Sequence, residues 1–506
     1  MDMALALEKI DALETENKKL SVRVHMLEEE LKLALFRRFG KSSERYQGQG
    51  ELPFSAEYGP TESSEAPVET EKISYTRGKP GRKKLSAALP REHHYHDLDA
   101  SERRCACGHE LTRIGEDVSE RLNVIPAKLW VEVHHHPKYA CAHCQGVNDS
   151  DEPSVKKAAG GKALLPGSIV TPGLAAFIWT NKFCDHLPFY RQEASFERIG
   201  ALVSRQDMSN WTIALAEELE PLIALIEDEI RAGPVIQMDE TPVKVLKLDR
   251  TGSDGQGYMW LALGGADGAR AVRYRFAPGR GSIHASSFLG EYAGFVQSDG
   301  YKAYDAVAGT ANWTHVGCWA HARRAFFEAN KVAYSSLLTD ALGRIKKLYA
   351  LEDTARGAGL EGEAFVAHRR GLIEPFLCEF KTWAEKIVAD VLPSGKSGTA
   401  FAYLLGQWDK LERFLEHERL TPDNNQAENA IRPFVVGRKN WLFSGNDTGA
   451  EASCRVFSLI ETAKRNRKDP YAYLLAVLST IPDIKITRTW ECLLPWNIDI
   501  QNSGRN

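Results

Sequence analysis

Apolar side chains recur with a seven-residue period from residue 3 to residue 34. Met3, Ile10, Asn17, Val24 and Leu31 fall on one line of the repeat, and Ala6, Leu13, Leu20, Leu27 and Ala34 on the other. This pattern predicts a coiled coil. A single Asn at an a position with Leu at d favours a parallel two-stranded coil, because buried amides pair only in register. An amphipathic helix packed on its own domain would carry the same stripe. The period then lapses over residues 47 to 72, which are rich in Gly, Glu, Ser and Pro and read as a linker. Strand-like alternation in LWVEVHHHPKYAC puts His134, His135 and His136 on the surface of a strand. Helical spacing returns over 165 to 232, where FYRQEASFERIG, the turn ALVS and RQDMSNWTIALAEELEPLIALIEDEI predict helix, turn, helix. Such a pair can read DNA or simply pack.

The alternation then changes to that of strands. PVIQMDETPVKVL, GYMWLALGG and AVRYRFAP make three β-rich runs, SIHASSFLGEYA a short helix, and GFVQSDGYKAYD a fourth strand, in the order β-β-β-α-β. From about 319 to 420 the chain reads as helices.

Composition narrows the class. A chain of 506 residues predicts about three domains. A net charge of −4 gives no overall attraction to a polyanion, so local clusters carry that signal. In KLALFRRFGKSSERY, Lys32, Arg37, Arg38, Lys41 and Arg45 face only Glu44. RGKPGRKK, ending in Arg82, Lys83 and Lys84, suits an arm lying along a phosphate backbone, although a plain linker has the same composition. The acidic start and the lack of a long apolar run predict a soluble, cytoplasmic protein with no membrane partner. Nine cysteines, four of them between 105 and 144, fit a reduced compartment.

Those four are Cys105, Cys107, Cys141 and Cys144, in CACGHE and YACAHC. Two close thiolate pairs can close a tetrahedral zinc site, predicting one structural Zn2+. The first pair is C-x-C, so His109 or His143 could replace one ligand. Two acids also stand out. Asp239 follows the apolar run of the first strand and Asp299 that of the fourth. If those strands lie side by side, the carboxylates meet at one sheet edge, and their repulsion is tolerated when a divalent cation sits between them.

The strand order with these acids resembles the ribonuclease H-like core of DDE transposases, which take a third acid, Glu, from a later helix. Glu428 in DNNQAENAIRP fits that role, and the helical stretch before it resembles the insertion found in several such enzymes. Cys318 and His321 in CWAHARR match a C-x-x-H motif that some of them carry. More specifically, the chain resembles the insertion sequence 66 family of bacterial transposases over nearly its whole length. RRFGKSSER, GEDVSERL, DHLPFYRQE, MDET, SDGYKAY, CWAHARR, DNNQAENAIRP, GRKNWLFSG, DPYAYL and LLPW follow in order. The resemblance implies a multidomain α/β (α+β) protein. A coiled coil spans 1–46, a linker with the basic arm 47–100, a zinc-binding module 101–150 and a helical region 151–232. The ribonuclease H-like mixed sheet occupies 233–330 and 421–470 around a helical insertion at 331–420, and a C-terminal segment spans 471–506.

It also implies the chemistry. Asp239, Asp299 and Glu428 would hold two Mg2+ (or Mn2+) ions to cleave the ends of a mobile element and join them to target DNA. The partners are terminal inverted repeats, target DNA, a second copy through the coiled coil in a dimer or larger assembly, and small accessory proteins of the same element. Asp423 or Asn424 would cap the helix of Glu428, Arg432 would share its face at i+4, and Pro433 would end or kink it. Arg432, Arg438, Lys439 and Trp441 suit a phosphate backbone and an unstacked base, although Trp441 also suits a core. His321 and Cys318 are auxiliary candidates. Two rivals remain at this stage: a nuclease of the same sheet class that never joins strands, and a non-catalytic zinc and zipper DNA-binding regulator.

Overall fold

The structure is a computed structural model that describes residues 9, 13, 16, 17, 91, 93, 119, 128–140, 155–157, 163–248, 255–266, 270–309, 312–332, 335–391, 393–487 and 489–500. Lys9, Leu13, Glu16 and Asn17 are helical and exposed in the single chain. The rest of the heptad stretch lies outside the described residues, as do Arg82, Lys83, Lys84, Cys105, Cys107, His109, Cys141, His143 and Cys144. Backbone contacts divide the chain into one unit of residues 1–41 and 132–501 and another of 42–131 and 502–506. The following concerns the first unit.

Strand β1 (Lys138–Ala140) pairs antiparallel with β2 (Val155–Lys157). The strand expected through His134–His136 is shorter than its alternation suggested: these histidines precede β1 and are exposed. A two-stranded ribbon has no second layer to extend it.

Four helices follow: α1 (Pro172–Trp179), α2 (Phe189–Arg198), α3 (Arg205–Glu218) and α4 (Glu220–Ala232). The second predicted helix is therefore two. Leu219 separates them because Pro221 lacks an N–H and fits only a first turn. Trp179 Nε1 donates to Thr212 Oγ1 at 3.0 Å, tying α1 to α3. Met208, Leu215, Ile223 and Ile226 of α3 and α4 are fully buried, in one core with the sheet.

The sheet comprises β3 (Val235–Lys247), β4 (Gln256–Gly264), β5 (Ala271–Ala277), β6 (Phe295–Gln297), β7 (Thr314–Val316) and β8 (Ser444–Asn446). Its order is β5-β4-β3-β6-β7, with β8 on the far end of β3. β3, β4 and β5 run antiparallel to their neighbours, whereas β6 lies parallel to β3 and β7 parallel to β6. Helix α5 (Ser282–Leu289) makes the crossover from β5 to β6, and α6 (Lys302–Ala308) that from β6 to β7.

After β7 the chain enters α7 (Trp319–Val332), α8 (Ser336–Gly357), α9 (Gly362–Asp390), α10 (Lys396–Gly406) and α11 (Trp408–Glu412). They bury a second core in which Trp319 meets Phe380 and Trp408, and Phe326 meets Phe401. The chain then returns to the sheet as α12 (Asn425–Trp441), α13 (Asp447–Arg465) and α14 (Pro470–Thr487). Helix α12 runs through Pro433 and does not end there. Ala427, Ala430, Ile431, Phe434 and Gly437 form one buried face, and that packing outweighs the backbone bond lost at the proline.

Candidate active site

Register brings the two aspartates together. In the parallel pair β3–β6, Gln237 lies opposite Gln297. Asp239 stands two residues further on within β3, and Asp299 two residues past Gln297, just beyond the end of β6, near enough for its charge to act on Asp239. Gln237 Nε2 donates to Gln297 Oε1 at 2.9 Å. The same glutamines hold the segment that precedes α12: Gln297 Nε2 donates to Thr421 O at 2.6 Å, and Gln237 Nε2 to Thr421 Oγ1 at 3.3 Å. Asn424 Nδ2 reaches Met238 O at 3.3 Å. The start of α12, with Glu428 in its first turn, is thus fastened beside Asp239. Asn424 is the N-cap by position, but its side chain is used on β3, and Asp423 Oδ1 accepts from Asn425 N instead.

The electrostatics record the convergence. Burial first, then the charges of Glu240 and Glu428 and finally of Asp299, push the Asp239 carboxyl from 3.8 up to about 8. Its one counterweight is the backbone N–H of Glu240, donating at 2.9 Å. Glu240 is compensated: Arg280 and the Tyr304 hydroxyl each approach it to 2.6 Å. Arg280 also stands 3.8 Å from Asp299 Oδ2 and stacks on Tyr301. Asp299 Oδ1 accepts from Tyr301 N at 3.0 Å. Gly300 is required next, because a Cβ there would meet Tyr403 Oη of α10 at 2.8 Å.

Helix spacing puts Arg432 on the face of Glu428, but the ion-pair contacts of Glu428 run to α7 instead. Arg324 Nη2 lies 3.3 Å from Glu428 Oε2 and His321 Nδ1 3.7 Å from Oε1, while Arg432 is exposed. Cys318, His321 and Glu428 offer ligand atoms that all lie within 4.8 Å of one another. Arg438 is bound to β3, donating to Thr241 Oγ1 at 2.8 Å and to Pro242 O. Trp441 packs among Phe183, Phe434 and Phe457, so its ring is committed to protein. Lys439 is exposed. Glu451, the next glutamate along the chain, is engaged by Arg273 at 3.0 Å and by Phe276 N at 3.0 Å, on α13 against β5.

Residue patterns did not indicate the supports. Behind Asp299, Ser298 Oγ lies 2.8 Å from His315 Nε2, His315 Nδ1 2.8 Å from Asp305 Oδ1, and Lys410 Nζ 2.7 Å from the same oxygen. Ser298 and His315 are buried, so this chain fixes the end of β6 and offers no nucleophile. Only the "SDG" tripeptide hinted at it.

With this geometry in view, residues 167–452 match the Transposase IS66 family. The chain belongs to that family. In this IS66-family transposase, residues 102–145 match the zinc-finger binding domain of transposase IS66, a stretch that contains all four clustered cysteines and supports a bound zinc. Residues 26–93 match the Transposase C of IS166 homeodomain, and 458–496 the IS66 C-terminal element. The uncharacterized protein y4qI of Sinorhizobium fredii (strain NBRC 101917 / NGR234) is 34% identical over 406 residues, covering 78% of this chain and 73% of the relative. The uncharacterized protein y4jD of the same organism is 31% identical over 427 residues, covering 81% and 80%. The family makes DNA the partner of this transposase. Among the described residues no helix is long and apolar enough to cross a membrane.

Proposed function

We propose that this transposase cuts the ends of its element and joins the freed 3′-ends to target DNA at a site made by Asp239, Asp299 and Glu428. The observation that supports this most is the β3–β6 register, which lays the end of β6 beside β3 just before Asp299, with the charges of Glu428 and Asp299 acting on Asp239. The strand order, three antiparallel strands followed by two parallel ones, supports a ribonuclease H-like core. The donors fit a hard divalent cation: all are carboxylate oxygens, and Asp239 is held among like charges that a cation would relieve. Asp239, Asp299 and Glu428 would hold divalent cations, which when bound would supply activation of the attacking oxygen and stabilisation of the leaving one.

The chain's own residues do the positioning. Asp239 is fixed by the backbone of β3, Asp299 by the Tyr301 N–H just past β6, and Glu428 by the glutamine-held start of α12. Exposed Arg432 and Lys439, with Arg82, Lys83 and Lys84 of the arm, hold DNA phosphates. Arg438 instead secures the end of α12 on β3, and Trp441 packs it against Phe183 and Phe457. Cys105, Cys107, Cys141 and Cys144 hold the finger's zinc, and residues 3 to 34 pair two chains.

The test uses full-length protein, Mg2+ and DNA bearing the element's ends, either intact or pre-cut. Cleavage and joining are both expected in wild type and both lost in Glu428→Gln, with DNA binding retained. Near wild-type cleavage by Glu428→Gln would overturn the assignment, and cleavage without joining of pre-cut ends would make the protein a nuclease.

A further inference from the structure

A second constellation overlaps the acidic site without belonging to it. Cys318 immediately precedes α7 and His321 lies in its first turn, so their i, i+3 spacing puts both on one face of the helix start. Glu428 comes to them from the first turn of α12. Cys318 is 1% exposed, and burial pushes its thiol up to about 12, so without a cation it stays protonated although the backbone N–H groups of His321 and Asn424 point at its sulfur. His321 Nδ1 and Glu428 Oε1 are buried atoms with no hydrogen-bond partner, 3.7 Å apart. Buried polar atoms are seldom left unpaired, and two facing the same sulfur point to a missing common partner.

We infer that Cys318, His321 and Glu428 form a three-ligand site for a zinc-class cation, distinct from the finger and sharing Glu428 with the Asp239–Asp299 site. The donor set decides the class. Thiolate and imidazole are softer than Mg2+ accepts, and S, N and O together suit zinc, with three protein ligands leaving a position open for water or a substrate oxygen. The 3.7 Å between Nδ1 and Oε1 is slightly longer than the edge, about 3.3–3.6 Å, of a tetrahedron with metal–ligand bonds of about 2.0–2.2 Å, a gap that a small side-chain movement closes. On binding, the Cys318 thiol gives its proton to solvent and the metal–sulfur bond replaces the S–H bond. Zinc held here and cations held by the aspartates then compete for one carboxylate. The inference shares Glu428 with the proposed function but stands on its own geometry.

Cobalt(II) reports the site without reference to activity, because thiolate ligation gives a near-ultraviolet charge-transfer band. Full-length protein with its finger already filled with zinc is titrated with Co2+. One further cobalt per chain and the thiolate band are expected. Cys318→Ser should abolish the band, and His321→Asn should weaken binding by about tenfold or more. Asp239→Asn and Asp299→Asn should leave it intact. Absence of the band in wild type, its survival in Cys318→Ser, or its loss in Asp239→Asn would each overturn the site. If Cys318→Ser does not fold, His321→Asn decides: weakened cobalt binding upholds the site and unchanged binding overturns it. Zinc added to the Mg2+ reaction is expected to slow cleavage several-fold. An equal slowing in His321→Asn would overturn the shared ligand. A Glu428→Gln protein that loses cobalt affinity but still cleaves with Mg2+ would remove the proposed function and leave this site standing.

Discussion

Glu352 and Asp239 are both carboxylates withdrawn from water, and their surroundings differ in the one respect that separates a structural charge from a binding one. Glu352, in the helical insertion, is 3% exposed and meets Arg369 twice, at 2.7 and 2.8 Å, and Arg356 at 2.7 Å. Arg369 is itself fully buried and spends its remaining donors on Phe414 O and Leu420 O. Every charge there has a partner within the chain. Asp239 has Glu240, Glu428 and Asp299 around it and no arginine among the groups that shift it, while Arg280 is engaged by Glu240 and Asp299. A fold that can supply a bidentate arginine to one buried acid withholds it from another. That contrast shows where a cation from outside is wanted.

The largest test of the contrast is chemical. Asp239→Asn keeps the shape and removes a charge, so Mg2+-dependent cleavage of element-end DNA is expected to fall on the order of a thousandfold. Arg369→Leu should leave the chemistry of folded molecules alone and act on stability. It strands Glu352 without its main partner, with an expected loss of about 3–5 kcal/mol by denaturant titration. If Arg369→Leu cost no stability, Glu352 and Asp239 would not differ in kind.

The second test is one of pH. Folding raises the Asp239 pKa from 3.8 to about 8, so the contribution to stability is full below about pH 4 and is lost as pH rises through about 8. Without divalent metal, wild type should therefore become less stable relative to Asp239→Asn between pH 5 and 8, by on the order of a few kcal/mol. Mg2+ should restore the wild-type protein selectively and release protons as it binds, measurable by calorimetry in buffers of different ionisation enthalpy. An equal pH slope in the two proteins would mean that Asp239 is not held among unscreened charges.

The sequence announced these two regions unequally. Long strands with clear alternation, β3 to β5, were legible, as were the order β-β-β-α-β and the positions of Asp239 and Asp299. The fourth strand was foreseen too long, since β6 has three residues, and β7, also of three, was not foreseen because so short a run shows no period. The partners of Glu428 were hidden for another reason. Helix spacing proposes only local neighbours such as Arg432, whereas His321 and Arg324 reach Glu428 across tertiary space. The same blindness covers Gln237 and Gln297, whose amides align the strands and hold Thr421, and the Glu352–Arg369 pair, which links two long helices. Pro433 misled because local propensity predicts a break, which a continuous buried face overrides.

The smallest expected effect asks whether Glu428 could be an ordinary ion-pair residue after all. Its guanidinium partner is Arg324, whose side chain is 57% exposed at 3.3 Å, so the pair is screened by water and salt. Arg324→Gln should therefore change stability by about 0–1 kcal/mol, a difference that shrinks further in high salt. If the purpose of Glu428 were that pair, Glu428→Gln would do the same and no more, since removing either partner removes the same weak attraction. If Glu428 is a ligand, the two substitutions separate. Arg324→Gln keeps cleavage within several-fold of wild type, through altered DNA contact alone, while Glu428→Gln behaves as Asp239→Asn does. Parallel rate and denaturation measurements on the two variants decide it, and matched behaviour in both would return Glu428 to the surface charges and leave the aspartates without their third partner.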